Sequence, residues 1–418
     1  MTLTVVAHST RSGIAALNVV TGALDTDPRT RDVPVVFAKT RDELARALDD
    51  ADHAIVAHSF YSPDAARAFE DLAWLRTHAR PALHVAGGVH ATAESAATLA
   101  AGFDLVIAGE GEHAFVELVA AVAAGRDPRG GPGSVYHDED SSLLRGPAAP
   151  RRPLDDFPAA NLRHGRWNAL EITRGCVYAC SFCQTPFMFK ARFRHRSVEN
   201  VREHVRVMVS QGGRYVRYVT PTSLSYGSDD TSVNLPAVEA LLAAVRAELP
   251  ADGKQYFGTF PSEVRPEHVS AEALALIKRY ADNTSLVIGG QSGSERMLAA
   301  THRGHDVDAV ERAVALTVEA GLRPDVDFLF GLPGETDEDR AATIALAERI
   351  AARGARVHTH AFMPLPGTPL ANAEPTPIAA DLAESVQRLE SRGAAYGQWR
   401  QQQTVAGELV QLRRARRR

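Results

Sequence analysis

The sequence predicts an α/β protein in which an N-terminal doubly wound parallel sheet precedes a partial barrel of β/α units and a short helical segment. Three observations predict it. Apolar runs alternate with amphipathic stretches over residues 1–145, a proline-rich segment over 146–165 interrupts them, and a second alternating series fills 166–370. Residues 371–418 are then predicted to form a helical extension with a basic tail.

Five short apolar runs predict the strands of the first domain, whose expected order is flavodoxin-like. They are LTVVAH, VPVVFA, HAIVAHS, ALHVAGG and DLVIAGE. Several of these runs end in small or polar residues, among them Ser59, Gly87 and Gly109. Loops at the carboxyl ends of parallel strands admit ligands at a topological switch point, so we expect a binding domain.

The segment GPAAPRRPLDDFPAAN is rich in proline and predicts a linker. Six further runs after it predict an open, partial (β/α)6 barrel: ALEITR, RYVRYVTP, QYFGTF, SLVIGG, DVDFLFG and RVHTHAF. By analogy with complete barrels, the chemistry is expected at the carboxyl ends of these strands.

Composition limits the class of protein. The 418 residues carry a formal net charge of -5, so nucleic acid is not an expected partner, although the terminal RRARRR is locally basic. The N-terminus shows no basic segment before an apolar core, and no stretch reaches the roughly 18 apolar residues of a membrane span. The three cysteines cannot build a disulfide framework. We therefore expect a cytoplasmic protein without membrane contact.

All three cysteines, Cys176, Cys180 and Cys183, lie in the run RGCVYACSFC. They follow a predicted strand and Gly175, which allows the backbone to curl around a compact inorganic core. Three thiolates can hold three irons of a 4Fe-4S cube and leave the fourth iron open. The alternatives are a zinc site, which usually takes four ligands, and three unrelated buried cysteines.

The run RGCVYACSFC, with Phe182 before its last cysteine, resembles the signature of radical S-adenosylmethionine (SAM) enzymes. SLVIGGQSGSERML, DFLFGLPGETDED and HAFMPLPGTPL resemble the fourth, fifth and sixth barrel strands of that superfamily, with their loops. The resemblance implies a radical SAM barrel with a 4Fe-4S cluster. It also implies that SAM chelates the open iron, and that an electron cleaves it to methionine and a 5′-deoxyadenosyl radical. An external one-electron reductant, such as a flavodoxin or ferredoxin, is then a partner.

Polar residues after the barrel strands suit the groups that SAM presents, because carboxylates accept from ribose hydroxyls or ammonium and arginine pairs with carboxylate. The predicted SAM-binding residues are Phe182, Thr222, Ser262, Glu263, Arg265, Gln291 and Ser292. Helix capping is the alternative for these polar side chains. Glu335, in GLPGET, is interpreted as a first-turn carboxylate that favours the helix dipole.

Three further groups are candidates for substrate contact or charge balance. Thr220, Ser223 and Tyr226 follow the second barrel strand, where ordinary turn chemistry is the alternative. The basic run after the cysteines is Lys190, Arg192, Arg194, His195 and Arg196. Of these groups, Tyr226 and Arg194 are the substrate candidates. His358 and His360 alternate on one strand face, which permits a metal, but we expect a satisfied core pair.

GGVHATAES followed by DLVIAGEGEHAFVELV resembles the later part of the cobalamin-binding domain found in many radical SAM enzymes. The residues implied to bind cobalamin are Ser59, Phe60, Tyr61, Gly87, Gly88, His90, Thr92, Gly109, Glu110 and Glu112. A doubly wound domain that has lost its ligand is the alternative.

The motif DxHxxG, which places a histidine beneath cobalt, is absent, since Asp52 and His53 are adjacent. We expect water or the aromatic pair Phe60 and Tyr61 at the lower face.

These motifs predict a cobalamin-dependent radical SAM methyltransferase that acts on an unactivated carbon of a small molecule or natural product. The cofactors carry the hard chemistry, so no side-chain base is required and no catalytic residue is nominated. Radical rearrangement, cyclisation or oxidation without methyl transfer is the first alternative. Methylthiotransferase-like modification of RNA and a non-catalytic cobalamin or redox sensor are the others.

Overall fold

The structure is a computed structural model that describes residues 2–416, with side chains to residue 414. The chain divides into two compact units; the first ends at Asn168 and the second begins at Ala169. No helix in the described range is long and apolar enough to cross a membrane. The end of the basic run RRARRR lies outside the described residues.

The first unit is built on one seven-stranded sheet with the order β2-β1-β3-β4-β5-β6-β7. Its strands are β1 Leu3–His8, β2 Val35–Ala38, β3 His53–Ser59, β4 Leu83–Gly87, β5 Leu105–Ile107, β6 Ser134–His137 and β7 Leu143–Arg145. The first five strands are parallel and confirm the predicted doubly wound sheet. The antiparallel hairpin of β6 and β7 at its edge was not predicted.

Helices cover both faces of this sheet. They are α1 Ile14–Ala23, α2 Arg41–Asp49, α3 Ala65–His78, α4 Gly88–Ala93, α5 Ser95–Ala100 and α6 Gly111–Ala123. Val5 and Ile55 pack with Phe115 on one side, whereas Val56 packs with Leu44 on the other. Because both faces are buried, the parallel strands read as continuous apolar runs in the sequence.

A row of three buried histidines crosses the first sheet from β1 to β4. Nδ1 of His8 lies 3.2 Å from Nδ1 of His58, and Nε2 of His58 lies 3.2 Å from Nδ1 of His84. Burial lowers the pKa of all three imidazoles, and that of His84 falls to about 4. The row is therefore neutral at physiological pH.

The proline-rich segment 146–165 belongs to the first unit. The Asn161 side chain donates to Thr21 Oγ1 over 3.0 Å, and just after the segment Arg166 Nε donates to Asn18 Oδ1 over 2.9 Å. A Cβ at Gly22 would lie 2.3 Å from the carbonyl oxygen of Ala160. Prolines fix an extended backbone, but these polar groups still bind α1, so the segment predicted as a linker packs against that helix.

Within the residues that the structure describes, the second unit has nine strands. They are β8 Leu170–Glu171, β9 Thr173–Arg174, β10 Arg194–His195, β11 Tyr215–Val219, β12 Lys254–Tyr256, β13 Ser285–Gln291, β14 Arg323–Phe330, β15 Arg356–Ala361 and β16 Ala395–Gly397. Two parallel sheets, β12-β11-β8 and β13-β14-β15-β16, meet at the isolated bridge between Val264 and Ile288. β9 and β10 pair separately. The partial barrel is as predicted, with the short strand β16 added at its edge.

The helices of the second unit are α7 Thr185–Met188, α8 Val198–Ser210, α9 Leu235–Glu248, α10 Ala271–Tyr280, α11 Glu295–Ala300, α12 Val307–Glu319, α13 Asp337–Ala352, α14 Ala380–Ser391 and α15 Trp399–Arg416. Side-chain oxygens of Ser197, Asn234, Ser270, Ser294 and Asp306 cap five of them, and Thr336 forms a capping box with Asp339. These caps fix where each helix begins after the strand-end loops that carry the candidate site.

Candidate functional site

The cysteine loop follows β9 and is held by its backbone. Cys176 and Cys180 are buried and Cys183 is half-buried. The amide of Cys183 donates to the carbonyl of Cys180 over 3.0 Å, and the amide of Ser181 donates to Thr301 over 3.1 Å. The loop is thus closed on itself and tied to the end of α11.

The spacing of the three thiols suits a cluster better than a single ion. In the described part of the chain, the only three metal-binding side chains whose ligand atoms all lie within 4.8 Å belong to Asp327, His358 and His360. At least one pair of cysteine sulfurs is therefore more than 4.8 Å apart, which is wider than the edge of about 3.8 Å in a tetrahedral zinc–thiolate site. Burial raises the pKa of the Cys176 thiol to about 12, so binding of iron must displace its proton.

Gly175 is required where the loop leaves β9. Its φ is +82°, and a Cβ there would lie 2.0 Å from the carbonyl oxygen of Arg192. We expect Gly175→Ala to lose at least half of its bound iron, because the loop must shift to relieve this clash. Iron per chain after anaerobic reconstitution measures the effect.

Gly212→Ala is the matched control for Gly175→Ala, because Gly212 has φ +87° with no atom within 4 Å of the added Cβ. It should cost about 1–2 kcal/mol of backbone strain and leave the iron content unchanged. Full iron loading of Gly175→Ala would contradict the crowding argument.

Arg303 is a buried cation beside the cysteine loop, and the sequence analysis did not single it out. Its Nη1 donates to Cys180 Sγ over 3.5 Å, and its Nη2 donates to the carbonyl of Gly289 over 2.6 Å. Nη2 also lies 3.8 Å from Glu263 Oε1. The signal available in the sequence is an arginine in THRGH, soon after the strand SLVIGG.

Glu263 faces Arg303 across Gly289. A Cβ at Gly289 would lie 2.6 Å from Glu263 Oε1 and 2.8 Å from Arg303 Nη2, so only glycine leaves room for this pair. Gln291, at the end of β13, donates to Glu263 Oε2 over 3.4 Å. Burial raises the pKa of Glu263, Arg303 opposes that rise, and the carboxylate of Asp327 adds to it. A carboxyl group and a guanidinium are thus held together beside the cysteines.

Arg265 packs against the cysteine loop. It is fully buried, with its guanidinium carbon 3.6 Å from the ring centroid of Tyr178. Nε donates to Glu267 Oε1 over 2.5 Å, and Nη2 donates to the carbonyl of Arg303. These contacts are to protein, and a contact between Arg265 and the carboxylate of SAM stays a prediction.

Three predicted contact residues have their polar groups engaged within the protein. Ser262 Oγ donates to the carbonyl of Tyr218 over 2.7 Å and accepts from the amide of Thr220 over 3.0 Å. Ser292 Oγ lies 3.3 Å from Thr343 Oγ1 on α13. The Tyr226 hydroxyl is buried and donates to Arg196 over 2.7 Å. Each joins neighbouring segments, and the roles of Ser262, Ser292 and Tyr226 in ligand contact stay predictions.

Phe182 and Thr222 lie on either side of the polar group. Phe182 packs against the apolar cluster of Met297, Leu332 and Phe362. Thr222 is buried in the loop whose next residue, Ser223, donates its amide to the carbonyl of Glu263 over 2.9 Å. Both remain predicted SAM contacts.

Glu335 precedes α13 instead of lying in its first turn. Its Oε2 accepts from the amide of Gly331 over 3.3 Å, and burial raises its pKa to about 7. The carboxyl group thus closes the GLPGE turn, which corrects the interpretation of a first-turn carboxylate.

The basic run divides into structural and exposed residues. His195 Nδ1 lies 2.9 Å from Thr173 Oγ1, and Arg196 is buried with Nε donating to the carbonyl of Glu171 over 3.1 Å. Lys190 and Arg192 are exposed, and Arg194 is half-buried on β10. His195 and Arg196 therefore fix the strand pair rather than meet a substrate.

His358 and His360 meet Asp327 on the inner face of the barrel. Nδ1 of His358 lies 2.7 Å from Asp327 Oδ1, and Nε2 of His360 lies 3.8 Å from the same oxygen. All three side chains are partly exposed. Both histidines have hydrogen-bond partners, as expected for a satisfied pair, but they lie at partly exposed positions instead of in the core.

In the first unit, the loops after β3, β4 and β5 gather at one edge of the sheet. A Cβ at Gly88 would lie 2.7 Å from Ser59 Oγ, and the amide of Gly109 donates to Thr92 Oγ1 over 3.0 Å. Gly109 has φ +98° and open space at its Cβ position. This glycine-lined edge fits the close approach of a flat, bulky ligand such as a corrin.

Several residues predicted at this edge point elsewhere. Phe60 is 3% exposed and packs in the core with Phe69 and Phe103, and His90 is buried with Nδ1 3.0 Å from Ser62 Oγ. The rings of Phe60 and His90 are covered by the core, and their contact with cobalamin stays a prediction. Tyr61, at 52% exposed, is accessible. Glu112 is buried, whereas Gly87 and Glu110 are half-buried.

The loop after β1 was missed. β1 lies between β2 and β3, which makes β1 and β3 the switch point of the sheet. A Cβ at Gly13 would lie 2.2 Å from the carbonyl oxygen of Ser59, so the two loops touch. The sequence signal is the polar run HSTRSG after the first strand.

Two family models match the chain. The radical SAM superfamily model matches residues 170–347, and the B12 binding domain model matches residues 15–119. The first range contains the cysteine loop, Arg303 and Glu263. The second contains the glycine-lined edge.

Among curated proteins, a tRNA-2-methylthio-N(6)-dimethylallyladenosine synthase of Saccharophagus degradans is 32% identical over 49% of this chain and 43% of its own length. The chain spans about half the length of the curated relatives it matches.

Two solved structures share the fold over most of the chain. The radical SAM methyltransferase TsrM from Kitasatospora setae, with cobalamin and a 4Fe-4S cluster bound, has a TM-score of 0.67 and 18% identity, covering 88% of this chain and 77% of its own. The cobalamin-dependent SAM radical enzyme OxsB, with aqua-cobalamin bound, also scores 0.67, at 15% identity over 94% of this chain and 55% of its own. At these identities the likeness is one of fold.

Proposed function

Because the chain belongs with the radical SAM enzymes that carry an N-terminal B12 binding domain, we propose that it is a cobalamin-dependent methyltransferase acting on a small molecule. The methyl acceptor in this proposal is an unactivated carbon. When bound, the cluster and SAM supply a 5′-deoxyadenosyl radical and cobalamin supplies a methyl group. An external one-electron reductant completes the set of partners.

The observation that carries the proposal is the Arg303–Glu263 pair beside the cysteine loop. An amino-acid head group presents a carboxylate and an ammonium, and the pair presents the complementary guanidinium and carboxyl group within 3.8 Å of each other. Arg303 also contacts Cys180 Sγ, so the head group would be held next to the cluster ligands. Gln291 holds the Glu263 carboxyl group from the strand end.

Cobalamin is assigned to the edge of the first sheet that carries Ser59, Gly88 and Gly109. The space at Gly109 and the Thr92 hydroxyl that holds its amide support a ligand lying across the loops. Tyr61 is the exposed aromatic residue of the pair proposed for the lower face. An electronic spectrum showing a histidine nitrogen bound to cobalt would overturn that assignment.

The test is anaerobic purification with iron and cobalamin quantified, followed by reduction and incubation with methyl-labelled SAM. We expect 5′-deoxyadenosine to form and the label to enter bound cobalamin. Protein that carries iron but binds no form of cobalamin would overturn methyl transfer. A full cluster that releases no 5′-deoxyadenosine would indicate a sensor.

A methylthiotransferase-like reaction is the second candidate, favoured by the 32% identity to a tRNA-modifying relative. Against it, all three cysteines stand in one loop, which leaves none for a second cluster. Label and sulfur appearing in tRNA, with none in cobalamin, would replace the methyltransferase proposal with this one.

A further inference from the structure

Asp327, His358 and His360 form a polar group inside the barrel that the proposed function does not use. Asp327 on β14 is in register with His358 on β15, and His360 lies two residues further along the same strand face. Asp327 is also close enough to Glu263 to raise the pKa of that carboxyl group. The three side chains therefore share the interior with the Arg303–Glu263 pair.

The hydrogen bonds from β15 to α15 fix the tautomer of His360. The amide of Ala361 donates to Gln402 Oε1 over 2.8 Å, which orients the Gln402 amide. Its Nε2 then lies 3.3 Å from His360 Nδ1 and donates to it. An imidazole that accepts at Nδ1 carries its proton on Nε2 when neutral, so His360 directs an N–H between His358 Nδ1, at 3.2 Å, and Asp327 Oδ1, at 3.8 Å.

The tautomer of His358 follows from its neighbours. Its Nδ1 lies 2.7 Å from Asp327 Oδ1 and 3.2 Å from His360 Nε2. Two bare acceptors would repel at the shorter of these distances, so the proton of a neutral His358 ring lies on Nδ1 and is donated to the carboxylate. Hydrogen bonds from both histidines hold the pKa of Asp327 below its usual value, although burial alone would raise it. His358 Nε2, on the opposite edge of the ring, is left with its lone pair.

The ring of His358 is also fixed in orientation. It stacks on Tyr396 at 4.4 Å with an interplanar angle of 7°. The guanidinium carbon of Arg356 lies 4.1 Å from the centroid of Tyr396. Asp325 faces Arg356, with 3.3 Å between its Oδ1 and Nε. An imidazole oriented by a carboxylate at Nδ1, with Nε2 unprotonated, is the arrangement of a general base.

A metal ion is the other occupant that these residues suit, because two histidines and a carboxylate form a known ligand set. Metal on His360 Nε2 requires that nitrogen to lose its proton. The Gln402 amide stabilises the tautomer in which Nε2 keeps it. The hydrogen bonds therefore favour protons over a metal.

We propose that His358 is a general base that accepts a proton from an O–H or N–H group beside the reacting carbon of the substrate, with Asp327 and His360 as positioning residues. The X–H bond breaks, its electron pair stays on X, and the proton forms an N–H bond at His358 Nε2. The proposal rests on the proposed function only for the presence of a substrate in the barrel. It defines the substrate class as molecules with such a group next to that carbon.

Anaerobic labelling of the holoenzyme with diethyl pyrocarbonate tests the assignment, because the reagent acylates unprotonated imidazole nitrogens. Peptide mass spectrometry separates His358 from His360. We expect His358 to label at least about 10-fold faster than His360. Exposure alone predicts the opposite order, since the His358 side chain is 21% exposed and that of His360 is 30% exposed.

Asp327→Asn keeps the shape of the side chain and removes the carboxylate that accepts from His358 Nδ1, so the excess labelling of His358 over His360 should shrink. The exposed His137 is the internal control and should label equally in both proteins. Faster labelling of His360, equal labelling of the two, or protection of both by one equivalent of bound Zn²⁺ would overturn the proposal. None of these readouts uses SAM or methyl transfer, so failure here is distinct from failure of the proposed function.

Discussion

Replacing Arg303 with glutamine is expected to lower cleavage of SAM by about 10- to 100-fold, the usual effect of removing a group that supports a metal ligand. The change removes the hydrogen bond to Cys180 Sγ and the cation that faces Glu263. It also leaves the Gly289 carbonyl without its donor at 2.6 Å. Breaking a buried ion pair in this way should cost about 3 kcal/mol of unfolding free energy.

Formation of 5′-deoxyadenosine, iron content and the urea midpoint measure these effects separately. Arg312→Gln is the matched control, because Arg312 is 65% exposed and lies 3.8 Å from its partner Asp306. It should change neither cleavage nor stability measurably. Cleavage by Arg303→Gln at the rate of the unchanged protein, with full iron, would show that the pair does not hold SAM.

Acidification from about pH 7 to about pH 4 is expected to destabilise the first unit through its histidine row. The pKa of His84 is about 4 in the folded protein and about 6.5 when unfolded, so the unfolded chain binds more protons between these values. The contribution of the histidine row to the free energy of unfolding is fully present above pH 6.5 and decreases as the pH falls toward 4. His84 alone accounts for about 3 kcal/mol of this loss, and the lowered pKa values of His8 and His58 add to it.

Hydrogen exchange of peptides from β1, β3 and β4, corrected for the intrinsic effect of pH, measures this loss in the full chain. His84→Gln should make the profile shallower, whereas His137→Gln, at an exposed position of β6, should leave it unchanged. If protection from hydrogen exchange stays constant down to pH 4, the histidine row is hydrated and becomes protonated without loss of folding free energy.

Much of the fold could be predicted because parallel strands buried on both faces leave continuous apolar runs, as in LTVVAH and SLVIGG. The missed strands lack that signal. Leu143–Arg145 is exposed throughout, and Ala395–Gly397 has three residues within a charged, helix-like stretch. Their pairing depends on neighbours distant in sequence, which local pattern does not encode.

The cysteines and Glu263 could be found because their chemistry or motif context is local. The hydrogen bonds of Ser262 and Ser292 could not be predicted, since a hydroxyl that bridges two strands or a strand and a helix looks the same in sequence as one that binds a ligand. Arg303 was missed for a related reason. Its importance arises where the cysteine loop, the Glu263 segment and the β13 backbone converge.

The join between the two barrel sheets has a mechanical consequence. The wall closes there through the isolated bridge between Val264 and Ile288, and the adjacent residue, Glu263, is proposed to hold SAM. This short join between the two sheets thus lies next to the proposed SAM-binding residue. A ligand that bonds to Glu263 and to Gln291 on β13 would link the two sheets. Binding of the ligand would therefore be thermodynamically coupled to a loss of flexibility in the barrel.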